Sequence, residues 1–323
     1  MAPHRRLHRL RRALATVLAV VAVAGPVVGA AGPGDVPAPR PTVRSTLRGV
    51  DPASLETRYA GTRRDIEAAR GMAAGHGDGK RAAALDAMTD AGRHFLTFDG
   101  RNGGRAVEVY GDLARAERIA VVVPGADVTV DNYWRLRAGA KALRRELPPG
   151  SAVIAWLGYR TPSTVSLAAA NAELGSDAAE DLSAFLRQLG RSLPAASLIC
   201  HSYGTVVCAH AAARSDVKDI VLCGSPGTGY EDVGAMRTRA TVWAGRGGDD
   251  WVGGLPHLRL RLGFTEIGLG TDPLSSDFGA RVFDAGDGGH SDYFKPGSLS
   301  LRNIARIVTG RYPVSASSGE KHA

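Results

Sequence analysis

The chain has 323 residues, 44% apolar and 22% charged, an ordinary globular composition with room for one large α/β domain or two smaller ones. Its formal charge of +8 overstates its basicity, because Arg5, Arg6, Arg9, Arg11 and Arg12 crowd into the first thirty residues without an acid. The remainder is only mildly basic, which leaves no electrostatic case for nucleic acid as a partner.

The arginine-rich start precedes an apolar run from Ala13 to Ala24, closed by Gly25-Pro26. Val28-Gly29-Ala30 then offers small or apolar residues where a signal peptidase reads. Residues 1–30 are therefore expected to be a signal peptide cleaved near Ala30, which sends the protein to the cell envelope or beyond it. An uncleaved anchor, tying the N-terminus to the membrane or envelope, is the alternative, although the run is short for a bilayer span. Residues 31–49 read as a Pro-rich linker.

From Asp51 the texture becomes helical. Asp51-Pro52 has the form of an N-cap followed by proline at the first helical position. Leu55, Tyr59, Ile66 and Met72 lie on a loose apolar stripe. A second short helix is predicted over Lys80–Ala91, so residues 50–92 form a helical prelude to the main domain, residues 93–311. Phe95–Phe98 and Ala106–Tyr110 predict a hairpin around Asp99–Arg105. Ile119–Val123 is a continuous apolar run, as expected of a strand buried on both faces. Then follow a helix near 131–146, a strand at Ala152–Leu157, a helix near 177–190 and a strand entering Ser197–Cys200. After these come a small-residue helix, strands at Asp219–Cys223 and Ala240–Ala244, a long loop over 245–279, a strand at Ala280–Phe283 and a helix near 298–309. Residues 312–323 read as a flexible tail. This alternation predicts an α/β fold: a mostly parallel central sheet with helices on both faces and an antiparallel N-terminal edge hairpin.

Ligands of such sheets bind beyond the carboxyl ends of the strands. Three of those ends carry triad candidates, and a fourth carries a candidate oxyanion donor. The first is Cys200-His201-Ser202-Tyr203-Gly204, a strand–turn–helix passage with the spacing of the G-x-S-x-G elbow, except that Cys200 stands at the first glycine. A sharp turn there exposes the Ser202 hydroxyl and aims the Tyr203 backbone N–H at a developing oxyanion. The strand ending at Val123 contributes Pro124-Gly125-Ala126, whose Ala126 N–H is the candidate second oxyanion donor. The second end carries Asp249-Asp250-Trp251-Val252. Asp250 is preferred as the acid because the apolar pair after it would anchor it, whereas Asp249 follows two glycines. The third carries Gly288-Gly289-His290, a candidate general base on a Gly-rich loop just before the last helix. The order Ser202, Asp250, His290 matches one known triad architecture. His201 is expected to point away from the base site as a packing or gating residue, and His257 is the reserve base. Asp287, on the loop of His290, is read as a support for that histidine or a turn cap.

The VVVPGAD strand end, WLGY, the CHSYG elbow, the Gly-Ser-Pro-Gly turn, GDDW and GGHSDYF together resemble the α/β-hydrolase superfamily. They are similar in particular to a group of actinobacterial α/β-hydrolases of unassigned substrate with a Cys-His-Ser-Tyr-Gly elbow. The resemblance covers residues 94–310 and implies Ser202 as nucleophile, Asp250 as acid, His290 as base, and the Ala126 and Tyr203 amides as oxyanion hole. It implies an α/β-hydrolase fold and a serine hydrolase, which the N-terminal segment would export; a small-molecule or lipid carboxylic ester is the expected substrate by analogy with the superfamily alone. The alternatives are an acyltransferase on the same triad and a non-catalytic cell-envelope binding module. No residues show metal-ligand spacing, and no cofactor is expected. The loops at 158–175 and 251–279 are expected to cover the pocket, with Tyr159, Leu167, Leu174, Trp251, Leu255, Leu258, Leu260, Leu262 and Phe264 offering an apolar acyl site. Cys200, Cys208 and Cys223 read as small buried side chains around the elbow. A disulfide bracing it is the alternative, with the pair left open by the spacing.

Overall fold

The computed structural model describes residues 37–43, 46–47, 49–163, 172–254, 260–262, 265–267 and 270–311. The expected signal segment and tail lie outside the described residues, as do His257, Leu167, Leu255, Leu258 and Phe264 of the pocket loops. Leu174, Leu260 and Leu262 are described by backbone alone.

Among the described residues ten strands and six α-helices follow in order. Helix α1 (Pro52–Gly75) and α2 (Gly79–Asp86) precede β1 (His94–Asp99), β2 (Arg105–Tyr110) and β3 (Arg118–Val123). Next come α3 (Trp134–Glu146), β4 (Ser151–Leu157), α4 (Ala172–Leu189), β5 (Ala196–His201), α5 (Gly204–Ala212), β6 (Val217–Cys223) and β7 (Thr241–Gly245). The chain closes with a short ribbon of β8 (Leu260–Leu262) and β9 (Thr265–Ile267), an edge strand β10 (Arg281–Val282) and α6 (Leu299–Val308).

Eight strands make one sheet in the order β1-β2-β4-β3-β5-β6-β7-β10. β1 and β2 pair antiparallel, and β2 runs antiparallel to β4. The other neighbours are parallel. The composition of the middle strands explains their place. β4 is buried at all seven positions and β3 at all but the first, so each must have a covered face on either side. Alternate residues divide between two apolar layers. Val121, Val123, Ile154 and Leu198 join Leu182, Leu186 and Val206 of α4 and α5 on one face. Ala120, Val122, Val153 and Ile199 join Leu136, Leu143, Ile304 and Ile307 of α3 and α6 on the other.

The prelude helices differ in detail from the expected pattern. Asp51 caps α1 by accepting from the Ser54 N–H, with Pro52 as the first helical residue. The buried stripe runs through Leu55, Ile66, Ala69 and Ala73, whereas Met72 is 41% exposed. Asp65, also buried, accepts from the Thr42 and Val43 N–H groups and so moors the segment before α1. α2 stops at Asp86 rather than Ala91, and the Arg93 guanidinium donates to the Ala87 carbonyl at 2.6 Å just past its end. Arg93 also forms a buried bidentate pair with Glu108 of β2, both contacts at 2.7 Å. No helix among the described residues is long and apolar enough to cross a membrane.

Candidate active site

The elbow is built by close packing. Ser202 adopts a left-handed backbone conformation, φ +54°, a state that costs a non-glycine residue of order 1–3 kcal/mol and persists only where neighbours enforce it. Its N–H donates to the Cys223 carbonyl at 3.0 Å, and its own carbonyl accepts from the Thr205 N–H at 2.9 Å. Two glycines let the backbones meet. A Cβ on Gly204 would lie 2.5 Å from the Pro124 carbonyl oxygen, and one on Gly125 would lie 2.5 Å from the Ser202 Cβ. Cys200 is tolerated at the first position of the motif because its side chain turns into the core, where it is bonded to Cys208. The reading of three buried thiols is thus corrected. The end of β5 and the second turn of α5 bring these two Cα atoms to 6.5 Å, within bridging range, and leave Cys223 as the buried free thiol, its pKa pushed up by burial.

Beyond the strand ends the expected residues converge. His290 Nε2 lies 2.9 Å from Ser202 Oγ, and His290 Nδ1 lies 2.9 and 3.1 Å from the two Asp250 oxygens. Asp250 is buried while Asp249 is exposed, which selects the former as the partner. Burial alone would push the Asp250 carboxyl up. Hydrogen bonds from His290, Tyr293 and the Val252 N–H outweigh it and hold the pKa at about 2. The ionised Asp250 accepts from His290 Nδ1–H, and that bond sets the tautomer in which Nε2 faces Ser202 with its lone pair.

One residue in this cluster escaped the sequence reading and a second was given the wrong direction by it. Tyr293 donates to Asp250 Oδ2 at 2.5 Å and accepts from the Gly247 N–H at 3.1 Å. Burial, then the bond to Asp250, raises its pKa, so it remains a donor at neutral pH. Its place in Gly289-His290-Ser291-Asp292-Tyr293 was the available signal, since the loop that carries the histidine also turns back over the acid. His201 is the second. It does not point away from the base: its Nε2 donates to the His290 carbonyl at 2.6 Å, and its ring lies 4.7 Å from the His290 ring and 5.5 Å from that of Tyr293. Burial, with the neighbouring His290 second, lowers its pKa to about 4, so it is a neutral spacer beneath the base loop. Asp292, rather than Asp287, closes that loop by accepting from the Gly289 N–H at 2.9 Å; Asp287 is exposed.

Ala126 lies on the loop after β3 and lines the same cleft as Ser202, while Tyr203 follows Ser202 and starts α5. The loop is pinned. The Tyr159 hydroxyl donates to the Pro124 carbonyl at 2.7 Å, and the Asp127 N–H donates to the Pro162 carbonyl at 2.9 Å. Tyr159 is therefore a buried core residue and not part of an acyl pocket. Trp251 does reach the site, half-exposed with its ring 4.9 Å from that of His290. The cleft holds about 840 Å³ and runs from Ser202 between α3 and the loop 291–296.

A mostly parallel sheet with a hydrogen-bonded Ser–His–Asp chain beyond its strand ends defines an α/β-hydrolase architecture. A model of the α/β-hydrolase family matches residues 99–260, half of the chain, and the protein belongs to that family. It is 31% identical to uncharacterized proteins of two Mycobacterium tuberculosis strains, CDC 1551 and H37Rv, over 69% of this chain. The match takes in 39% of each relative, so the chain spans about two fifths of their length. Among solved structures, a serine hydrolase without lid from Xanthomonas campestris is similar at 17% identity, covering 69% of this chain and 97% of that one, with a TM-score of 0.43. A serine hydrolase homologue from Coxiella burnetii is similar at 14% identity, covering 69% and 98%, with a TM-score of 0.42.

Proposed function

We propose that the protein is an exported serine hydrolase that cleaves carboxylic esters through an acyl-enzyme. The observation that carries this reading is the continuous hydrogen-bonded chain Ser202–His290–Asp250 opening into a cleft. His290 Nε2 takes the Ser202 proton as Oγ attacks the ester carbonyl. The Ala126 and Tyr203 amides receive the oxyanion. The imidazolium faces the ionised Asp250, then passes its proton to the departing alkoxide. Water, activated by the same histidine, releases the acid and restores Ser202.

Export rests on the arginine-led apolar segment before Ala30, and the Cys200–Cys208 disulfide supports it, because such bonds persist in oxidising compartments. The N-terminal segment would then serve as a cleaved signal peptide or as an envelope tether. The test is a fluorophosphonate probe applied to the purified protein and its Ser202→Ala variant, with the adduct located by mass spectrometry and turnover followed on p-nitrophenyl esters. Labelling at Ser202 that the variant loses is the expected result. A folded protein that neither labels nor cleaves any ester refutes the reading.

A further inference from the structure

The cleft that leaves Ser202 has a strongly one-signed wall. Arg135, Arg137, Lys141 and Arg145 of α3 line it, and Lys295 lines it from the facing loop. From Arg135 to Arg145 the helix rises about 15 Å, so the cations that line the cleft are spread along it and not gathered at one point. Phe294, beside Lys295, packs on α3 at Gly139, where a Cβ would meet its ring at 3.1 Å. That contact fixes the two basic walls against each other. Two carboxylates share the lining. Asp292 is held by the Gly289 N–H, and Asp127 sits on the loop after β3 in a left-handed conformation. None of the five cations has an ion pair among the described residues. Other arginines nearby are spent differently: Arg81 pairs with Asp131 and Arg93 with Glu108. Cations without an ion pair among the described residues, set along one cleft, concentrate anions and repel cations.

Resting on the serine-hydrolase reading, we propose that the substrate is an elongated ester bearing negative charge, carboxylate or phosphate, away from the scissile carbonyl. The carbonyl sits at Ser202, and the anionic part lies along Arg135, Lys141 and Arg145 with Lys295 opposite. The charge can belong to the acyl side or to the alcohol side, and the test separates the two.

The experiment compares kcat/KM within two matched pairs, each rate divided by the spontaneous rate in the same buffer. p-Nitrophenyl hemiadipate against p-nitrophenyl hexanoate places the anion on the acyl side. 4-Butyryloxybenzoate against its methyl ester places it on the alcohol side. In at least one pair the anionic ester is expected to exceed its neutral twin by about tenfold at low salt, the lower end of what focused fields give. The advantage should shrink towards parity between about 20 mM and about 0.5 M NaCl. In the variant carrying Arg135→Glu, Lys141→Glu and Arg145→Glu the ratio should fall below one. Should that variant fail to fold, Arg145→Glu alone, at the exposed end of α3, is read the same way. Parity in both pairs, or a preference indifferent to salt and to charge reversal, overturns the proposal while leaving the hydrolase reading intact. A protein that labels at Ser202 yet cleaves none of the four esters also overturns it. A protein that neither labels nor cleaves removes the hydrolase reading itself.

Discussion

Replacing Tyr293 with Phe removes one oxygen atom from the site and disturbs two partners at once. Asp250 loses a donor at 2.5 Å, and the buried Gly247 N–H loses its acceptor. The Asp250 carboxyl is held at about 2 against an ordinary value of 3.8, a shift equivalent to about 2 kcal/mol of stability at neutral pH. Three donors sustain that shift against burial, so the tyrosine's share is about 1 kcal/mol. Orphaning the Gly247 N–H adds about 1–3 kcal/mol that does not depend on pH. The variant should therefore be less stable by roughly 2–4 kcal/mol at pH 7. The sign of the pH dependence follows from the depressed pKa. The carboxylate's contribution is complete above the unfolded value near 4 and disappears as pH falls through 2, so the gap between the proteins should narrow by about 1 kcal/mol towards pH 2–3. Urea unfolding of both proteins at pH 7 and pH 3 measures this. A difference below about 1 kcal/mol at pH 7, or one that fails to narrow in acid, refutes the assignment of Tyr293 as a support of the ionised acid.

Three further outcomes follow from the same geometry. Ser202→Gly should abolish probe labelling yet raise the thermal midpoint, because glycine relieves about 1 kcal/mol of left-handed strain; a lower midpoint would show that the serine is not strained. Cys200→Ala with Cys208→Ala opens a link across a sequence separation of 8 and should lower stability by about 2.5 kcal/mol on loop entropy, measured by urea denaturation without reductant. His201 is neutral in the fold down to about pH 4 but titrates near 6.5 when unfolded, so the unfolded chain binds the extra proton between those values. Stability should accordingly fall by up to about 3 kcal/mol as pH drops from 6.5 to 4. In His201→Gln, which retains a donor for the His290 carbonyl, the midpoint should decline less steeply over that interval.

Where chemistry depended on neighbours in sequence, it could be read. The elbow needs a strand, a tight turn and small residues within a few positions, and Ser197–Ala209 carries all of them. Asp250 was separable from Asp249 because the Trp251-Val252 pair draws the chain inward, and Val252 does donate to it. The sheet was equally open to reading because apolar runs such as Ile119–Val123 admit burial on both faces. Long-range contacts outside the triad pattern could not be read, whereas Ser202–His290 and His290–Asp250 could, through the order of their motifs. Tyr293 meets Asp250 across 43 positions, and His201 meets the His290 carbonyl across 89. Helix α1 shows a different limit. Its buried side includes Gly61, Thr62 and Asp65, so apolar periodicity named Met72 in place of Ala73. The last strand contracted to Arg281–Val282 because it pairs on one side only, and both side chains are exposed.

The disulfide that straddles Ser202 has an analytical consequence. Between Arg191 and Arg214 the sequence offers trypsin no cleavage point, so Cys200, Ser202 and Cys208 leave the protein on one fragment, Ser192–Arg214. Cys223 departs on another, Asp219–Arg237. Digestion without reductant should release the first fragment as a closed ring, lighter than its open form by two hydrogens, with any acyl or phosphonyl group on the serine added to that mass. A bridge through Cys223 would instead fuse the two fragments. A single spectrum thus records how the chain was oxidised in its compartment and whether its serine was occupied when it was harvested.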